Sequence, residues 1–194
     1  MNQRSLSLIA TALTYFSLFL VSPASAVAEP PEVGSKAPDF TLSTPDGRAI
    51  TLSELTPKGR VVLVLLRGFP HYQCPYCHKQ VYDFQLHADK FAALETQVLF
   101  VYPGPPAKVD KKAEEFLTKQ DKLSGNLYLV VDPDYKFTNQ YGLRWEGLFE
   151  TAYPSTFIID RNRTILFRKI SHSHGDRSTS EEVLAELTKS ESPH

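Results

Sequence analysis

Six consecutive apolar residues, 61–66, constrain the fold of this chain more than any other segment. A strand with one solvated face alternates apolar and polar residues, whereas an unbroken run of Val and Leu is typical of a strand buried on both faces, as in parallel sheets. Residues 97–101 and 127–131 repeat the pattern, and segments of helical character separate the three runs. Because such a sheet must be covered on both faces by helices, the sequence predicts an α/β fold.

The other elements follow from turn residues and from helical spacing. Residues 39–42 and 49–52 flank the turn at Pro45–Gly47 and predict an N-terminal β-hairpin. Apolar residues recur at steps of three and four from Val81 to Leu94, which predicts one amphipathic helix after the cysteines. The remaining predicted elements are helices over residues 52–55, 108–123, 134–141 and 180–189, and a second hairpin over residues 156–160 and 164–167. This second hairpin makes the predicted sheet mixed.

Residues 1–26 have the pattern of a secretory signal peptide. Arg4 supplies a positive charge, residues 6–21 are mostly apolar, and Ala24-Ser25-Ala26 is a small-residue cleavage site. A bilayer span needs about 20 mainly apolar residues, and this run is shorter. We therefore expect cleavage, with a retained anchor as the alternative, and one domain over residues 27–194. That domain would be exported to a periplasm or to another extracytoplasmic space or lumen.

The charge of the chain bears on its partners. The sequence has 21 basic and 22 acidic residues; cleavage removes one Arg and no acid, which leaves 20 against 22 and a net charge near −2. Nucleic acids and anionic membrane surfaces attract basic patches. We therefore expect no nucleic-acid partner, and no membrane association once the signal peptide is removed.

Cys74 and Cys77 are the only cysteines of the chain, and they form a C-x-x-C motif. A disulfide across so short a loop removes little entropy from the unfolded chain. A zinc site needs four ligands, or three and a water, and no second pair of cysteines exists to supply them. We therefore interpret the pair as a redox-active dithiol that needs no metal and no organic cofactor. A structural disulfide, and metal binding or copper delivery with nearby His residues, are the alternatives.

The position of Cys74 favours a reactive thiolate. The strand over residues 61–66 leads through Arg67 and a short loop to Cys74, and Pro75 suits the first position of a helix. Free backbone N–H groups and the helix dipole stabilise an anion at a helix start. Cys74 is therefore the predicted nucleophile and Cys77, one turn later, the resolving thiol. We also expect Arg67 to lower the pKa of Cys74, with an exposed ion pair at the strand end as the alternative.

Six short motifs occur in a specific order along the chain: GSKAPDFTL at 34–42, DG at 46–47, LSEL at 52–55, DPD at 132–134, YGL at 141–143 and PSTFIID at 154–160. In this order they resemble the redoxin group of thioredoxin-like proteins, which joins the AhpC/TSA peroxiredoxins with the TlpA/ResA-type thiol–disulfide oxidoreductases. The resemblance implies a thioredoxin-like three-layer fold, with a mixed central sheet, helices on both faces and an N-terminal β-hairpin.

Three positions bear on the branch of this group. In the peroxiredoxin motif P-x-x-x-T-x-x-C, this chain has Arg67 in place of the Pro and His71 in place of the Thr. Pro154 stands where peroxiredoxins carry an Arg before the S-T-F strand. In the thioredoxin-like branch a cis Pro at that place packs beside the dithiol, so we expect a cis bond before Pro154, although only about 5% of such bonds are cis in folded proteins. The C-P-Y-C tetrapeptide is similar to that of glutaredoxins.

We therefore predict an exported thiol–disulfide oxidoreductase. Cys74 attacks a disulfide, a mixed disulfide forms and Cys77 resolves it. The catalytic candidates are Cys74, Cys77, Pro154 and Arg67, and His71 and Tyr76 are candidates to tune the thiols. The expected partners are a protein or small-molecule disulfide or dithiol and a second redox protein that reduces or oxidises the pair. The alternative function is a peroxiredoxin-like thiol peroxidase, in which Cys74 reacts with a peroxide and Cys77 resolves.

Two further segments are open to interpretation. Residues 144–153 contain the only Trp of the chain and form either a lip beside the Cys pair or an aromatic cover for the core. Glu146 or Glu150 in this segment is a candidate to accept the proton of Cys77. Residues 172–176, which include two His residues, are expected in a solvated loop.

Overall fold

The structure, a computed structural model, describes residues 28–189 except for residues 121 and 124. The predicted signal peptide over residues 1–26 lies outside the described residues. None of the helices in the described part of the chain has the length and apolar character needed to span a membrane.

Seven strands form one mixed sheet, in the order β2-β1-β5-β4-β3-β6-β7. The strands are β1 (Thr41–Ser43), β2 (Ala49–Thr51), β3 (Arg60–Leu65), β4 (Thr96–Gly104), β5 (Leu127–Pro133), β6 (Ser155–Ile159) and β7 (Ile165–Ile170). The interior strand β3 runs parallel to β4 and antiparallel to β6. The predicted N-terminal hairpin is β1–β2, and the second predicted hairpin is β6–β7.

Both faces of the sheet are buried, as the apolar run in β3 predicts. Val62 and Val64 pack into a cluster on one face, and Leu63 and Leu65 pack into a second cluster on the other face. The first cluster contains side chains from α2 (Pro75–Leu86), α3 (Ala88–Ala93), α4 (Val109–Leu117) and α6 (Ser180–Lys189), and the second contains side chains from α1 (Leu52–Leu55) and α5 (Lys136–Gln140). The structure thus has the predicted thioredoxin-like arrangement of a mixed sheet between two helical layers.

The structure divides the single amphipathic helix predicted after the cysteines into α2 and α3. His87 between them has φ −115° and ψ 15°, outside the helical region. Its ring nitrogen Nδ1 lies 3.0 Å from the Asp83 carbonyl oxygen and 2.8 Å from the Ser180 hydroxyl. Phe84 and Phe91 stack across the break with ring centroids 5.3 Å apart. The apolar stripe therefore continues through the break, and helical spacing alone does not reveal it.

Candidate active site

Cys74 lies at the start of α2, beside the carboxyl end of the interior strand β3. It is the N-cap residue, with φ −74° and ψ 117°, and Pro75 occupies the first helical turn. The connecting loop has a tight turn at Gly68, where φ is +63° and where an added Cβ would overlap the backbone of Pro103. The N–H of Phe69 donates to the carbonyl oxygen of Pro103 at 3.2 Å, which ties the loop to β4. The turn at Gly68 and the hydrogen bond to β4 thus place Cys74 at the start of a helix, as the sequence predicts.

The two thiols differ in their pKa because the Cys77 thiol donates a hydrogen bond to the Cys74 sulfur. The side chain and backbone N–H of Cys77 hydrogen bond to the Cys74 sulfur and lower the pKa of Cys74 to about 5, and the charges of Arg177 and Arg67 act in the same direction against the effect of burial. Complete burial and the hydrogen bond to Cys74 raise the pKa of Cys77 well above its usual value. At neutral pH Cys74 is therefore a thiolate and Cys77 a thiol. This is the ionisation that a nucleophile and a resolving residue need.

Arg177 is the side chain that donates to the Cys74 sulfur from outside helix α2. It belongs to the loop between β7 and α6, and its Nη2 lies 3.9 Å from Cys74 Sγ. Its Nη1 donates to Gln80 Oε1 at 3.0 Å and its Nε donates to the carbonyl oxygen of His174 at 2.8 Å. Sequence reasoning missed this residue, since it lies 103 positions from Cys74, directly after the expected solvated loop over residues 172–176. The one related signal in the sequence is Pro154, which stands where peroxiredoxins carry an arginine.

Arg67 is buried, with 2% of its side chain exposed, and it is not the exposed strand-end residue of the alternative interpretation. Its Nε donates to Glu150 Oε2 at 2.8 Å, its Nη1 to the Tyr72 hydroxyl at 2.6 Å, and its Nη2 to the carbonyl oxygen of Phe149 at 2.7 Å. The Thr151 hydroxyl donates to the carbonyl oxygen of Arg67. Arg67 therefore fastens the segment over residues 144–153 to the end of β3, and its charge also favours the Cys74 thiolate.

The segment over residues 144–153 joins the two loops that flank Cys74. Glu150 accepts from Arg67 on one side, and its Oε1 lies 3.0 Å from Nε2 of His174 on the other. Trp145 stacks on Tyr153 at 4.7 Å and lies 5.4 Å from the His174 ring. Glu150 is thus a partner of Arg67 and His174. His172 and Asp176 are exposed, as expected of a solvated loop, whereas His174 is partly buried and fixes the loop against this segment.

The expected cis bond before Pro154 is wrong. The described residues contain no cis peptide bond, so the Tyr153–Pro154 bond is trans. Backbone hydrogen bonds hold the residues on both sides of this bond: the Tyr153 N–H donates to the carbonyl oxygen of Leu143, and the carbonyl oxygen of Pro154 accepts from the Ser171 N–H at 2.8 Å. The trans form is also favoured intrinsically by about 0.5–1 kcal/mol. Pro154 is buried beside the end of β3, since the next residue, Ser155, pairs with Leu65.

His71 and Tyr76 lie at the rim of the site. His71 is exposed, with φ +90°, and its ring contacts Phe149 at 5.6 Å. No hydrogen bond among the described residues joins His71 to Cys74, so the structure does not place it as a substitute for the Thr of the peroxiredoxin motif. Tyr76 is half-exposed beside Gly175, where an added Cβ would lie 3.6 Å from the Tyr76 ring. Within the described residues, no group of three or more His, Cys, Asp or Glu side chains converges as metal ligands would.

Gln73 holds the residue before the nucleophile in place. Its Oε1 accepts from the Tyr102 hydroxyl at 2.8 Å, and its Nε2 donates to the carbonyl oxygen of Lys112 at 2.9 Å. Tyr102 belongs to β4 and is fully buried, and burial raises its pKa. The loop that leads from β3 to Cys74 is therefore hydrogen bonded, through Gln73, to β4 and α4.

A mixed sheet between two helical layers, with a C-x-x-C dithiol at the start of the helix that follows the interior strand β3, defines a thioredoxin-like redox protein. Residues 33–168, more than half of the chain, match the model of the AhpC/TSA family. The chain belongs to the AhpC/TSA family. This membership confirms the resemblance to redoxins and the oxidoreductase class predicted from the sequence.

Similar proteins include peroxiredoxins of the Bcp type. The peroxiredoxin Bcp of Bacillus subtilis (strain 168) is 27% identical over 146 residues, which cover 72% of this chain and 86% of that protein. The peroxiredoxin Bcp of Escherichia coli (strain K12) is 27% identical over 156 residues, which cover 78% of this chain and 90% of that protein. The crystal structure of peroxidoxin BcpB from Mycobacterium tuberculosis matches with a TM-score of 0.65 and 25% identity, over 82% of this chain and 98% of that one.

Proposed function

We propose that this protein is a thiol peroxidase that reduces a small peroxide with Cys74 and Cys77. The observation that carries the proposal is the combination of a thiolate at Cys74 with its burial, since only 1% of the residue is exposed. Attack on a disulfide and attack on a peroxide both need the breaking bond in line with the thiolate. A peroxide brings only two small oxygens to the buried sulfur, whereas the disulfide of a folded protein brings the surrounding protein with it. The similarity to Bcp-type peroxiredoxins supports the same choice.

The chemistry proceeds in two steps. The Cys74 thiolate attacks the terminal oxygen of the peroxide, the O–O bond breaks, and the S–O bond of a sulfenic acid forms while the alkoxide or hydroxide leaves and takes a proton from water. Cys77 then loses its proton and attacks the Cys74 sulfur, the S–S bond forms, and hydroxide leaves. The two sulfurs together give two electrons to the peroxide. The products are an alcohol or water, a second water, and the Cys74–Cys77 disulfide.

An external dithiol must return the disulfide to the reduced state. Its first thiolate attacks one sulfur of the pair, and its second thiol releases the protein from the mixed disulfide. We propose a reductant of this chemical class, either a dithiol protein or a small dithiol molecule. The same exchange chemistry makes disulfide exchange with a protein substrate the second candidate function, and the C-P-Y-C tetrapeptide favours it.

Peroxide consumption by the purified protein, with a small dithiol as reductant, tests the proposal. We expect catalytic turnover for the wild type and none for Cys74→Ser. With no dithiol present, Cys77→Ser should consume one equivalent of peroxide and stop at the sulfenic acid, which a dimedone adduct on Cys74 identifies by mass. Turnover that persists in Cys74→Ser, or a wild type that ignores peroxide and reduces protein disulfides, would overturn the proposal.

We further propose that the protein acts after export, with cleavage following Ala26. The arrangement of Arg4, the apolar residues 6–21 and the small-residue site supports this. In an oxidising compartment the pair needs a dedicated source of electrons, because disulfides persist there. Mass measurement of the N-terminus of the protein expressed in a bacterial host is the test: a mature chain that starts at Val27 supports export, and an intact Met1 in the cytosolic fraction contradicts it.

A further inference from the structure

Two arginines lie near the reactive sulfur, and their hydrogen bonds assign them different tasks. Each of the three nitrogens of Arg67 donates to an oxygen of Glu150, Tyr72 or Phe149. Arg177 uses Nε and Nη1 to fix its own position and directs Nη2 at the Cys74 sulfur. Arg67 therefore mainly holds the segment over residues 144–153 in place. Arg177 is the arginine that is free to contact a reacting group.

The position of Arg177 is determined on two sides. Gln80 of α2 is buried; its Oε1 accepts from Arg177, and its Nε2 donates to the carbonyl oxygen of Ser178 at 3.1 Å. Gln80 thus forms hydrogen bonds with two consecutive residues of the loop, Arg177 and Ser178. On the other side, His174 accepts from Arg177 Nε through its carbonyl oxygen and holds Glu150 through its ring. A guanidinium is rigid and planar, so two fixed nitrogens determine the direction of the third.

We propose that Arg177, from the loop between β7 and α6, is a catalytic residue that holds the Cys74 thiolate and stabilises the leaving oxygen of the peroxide. The proposal rests on the peroxidase function above. In this chain Pro154 occupies the position before the S-T-F strand, and Arg177 is the arginine that contacts the sulfur. As the O–O bond breaks, negative charge moves from sulfur to the departing oxygen. An N–H donor that already lies at the sulfur can follow this charge without reorganisation.

The groups that act on the Cys74 charge come from several elements. Cys77 donates from α2 and Arg177 from the β7–α6 loop, Arg67 after β3 acts through its charge alone, and the Tyr102 phenol of β4 lies in the same field. Removing Arg177 therefore lowers, but does not abolish, the preference for the thiolate. A test must separate this ionisation effect from stabilisation of the transition state.

The test compares Arg177→Met and Arg177→Lys with Arg168→Met as a matched control. Arg168 lies on β7, is partly buried and pairs with Glu32 at 2.7 Å, away from the cysteines. Two quantities are measured: the midpoint of the thiolate absorbance titration, and the second-order rate constant with hydrogen peroxide at a pH well above that midpoint. There Cys74 is ionised in every variant, so a remaining difference in rate reports on the transition state alone.

We expect Arg177→Met to shift the titration midpoint upward and to lower the rate constant of the ionised enzyme by a factor on the order of 10², as for other oxyanion donors. Arg177→Lys keeps the charge without the three-point geometry, so its midpoint should stay closer to that of the wild type while its rate remains low. Arg168→Met should match the wild type in both quantities. If Arg177→Met does not fold, Arg177→Lys carries the test through the same rate constant.

Equal rate constants for the ionised wild type and for a folded Arg177 variant would overturn the inference. The peroxidase proposal would survive that result as long as Cys74→Ser remains inactive. If Cys74→Ser still consumes peroxide, the proposed function itself fails. The two failures are thus distinguishable in one set of measurements.

Discussion

At the scale of single residues, the hydrogen bond between the two cysteines is the largest cause of the acidity of Cys74. Cys77→Ala removes the donor, and we expect the midpoint of the thiolate titration to rise from about 5 toward the usual thiol value. Cys77→Ser keeps a donating hydroxyl and should give a smaller rise. Ultraviolet thiolate titration of both reduced variants measures this order. A midpoint for Cys77→Ala equal to that of the wild type would show that other groups, such as Arg177, determine the ionisation.

The same pKa links the stability of the reduced protein to pH. The folded pKa of Cys74, about 5, lies below the usual value of 9.0, so between these two values the unfolded chain binds more protons than the folded one. Stability from this group therefore increases as pH rises from 5 to 9, and it is lost as pH falls through 5. Urea denaturation of the reduced wild type and of Cys74→Ser gives the difference at each pH. A difference that does not change over this window contradicts the assignment of the thiolate.

Glu150 is the counter-ion of a buried arginine, and its loss should be costly. Glu150→Ala leaves Arg67 with two neutral oxygen partners, and removing one member of a buried pair costs about 3 kcal/mol or more. Glu150→Gln keeps an acceptor and should cost less. Glu32→Ala breaks the Glu32–Arg168 pair, whose carboxylate side is 71% exposed, so it should cost about 0–1 kcal/mol. Equal urea midpoints for Glu150→Ala and Glu32→Ala would contradict the fastening role of Arg67.

At the scale of elements, the turn at Gly68 positions the loop between β3 and α2. Its positive φ and its contact with the backbone of Pro103 leave no room for a side chain. We expect Gly68→Ala to destabilise the protein by about 1–3 kcal/mol or more and to lower the rate with peroxide, since the loop carries Cys74. Gly125→Ala is the control, because an added Cβ there meets no atom within 4 Å. The urea midpoint and the peroxide rate of both variants decide whether this turn holds the nucleophile.

The elements that the sequence predicted are those whose pattern is local. The apolar run of β3, the Pro at the start of α2 and the turn residues of both hairpins identify their elements without knowledge of the rest of the chain. The break at His87 was missed, because the apolar stripe continues through Phe84 and Phe91. The trans bond before Pro154 differs from the expected cis bond, and the hydrogen bonds to the residues on either side of it come from Leu143 and Ser171, which no local pattern reveals.

The loop between β7 and α6 shows the same limit at the site. Nothing local distinguishes Arg177 from other charged loop residues, and its contact with Cys74 exists only because Gln80 and His174 hold it there. Glu150 likewise gains its role from Arg67, which is 83 positions away. Motif spacing therefore finds the two thiols, and only the packing of distant segments identifies the cations around them.

At the scale of the whole molecule, the position of the dithiol relative to the two apolar clusters accounts for its burial. Cys74 and Cys77 both belong to the cluster on the face of α2, and β3 separates them from the cluster on the other face. The segment over residues 144–153 and the β7–α6 loop then meet beside Cys74 through Glu150 and His174. A buried thiolate with cations at its side is suited to a small oxidant. This property of the assembled fold supports our proposal of peroxide reduction over exchange with a protein disulfide.

The most direct test is a comparison of two rate constants for the reduced wild-type protein. One is for oxidation of Cys74 by hydrogen peroxide, and the other is for oxidation by the disulfide of a folded protein; the fluorescence of Trp145, the only Trp, offers a stopped-flow signal, and mass measurement confirms the product. We predict that peroxide reacts faster and that Cys74→Ser reacts with neither. Faster oxidation by the protein disulfide would contradict the peroxidase proposal and favour disulfide exchange.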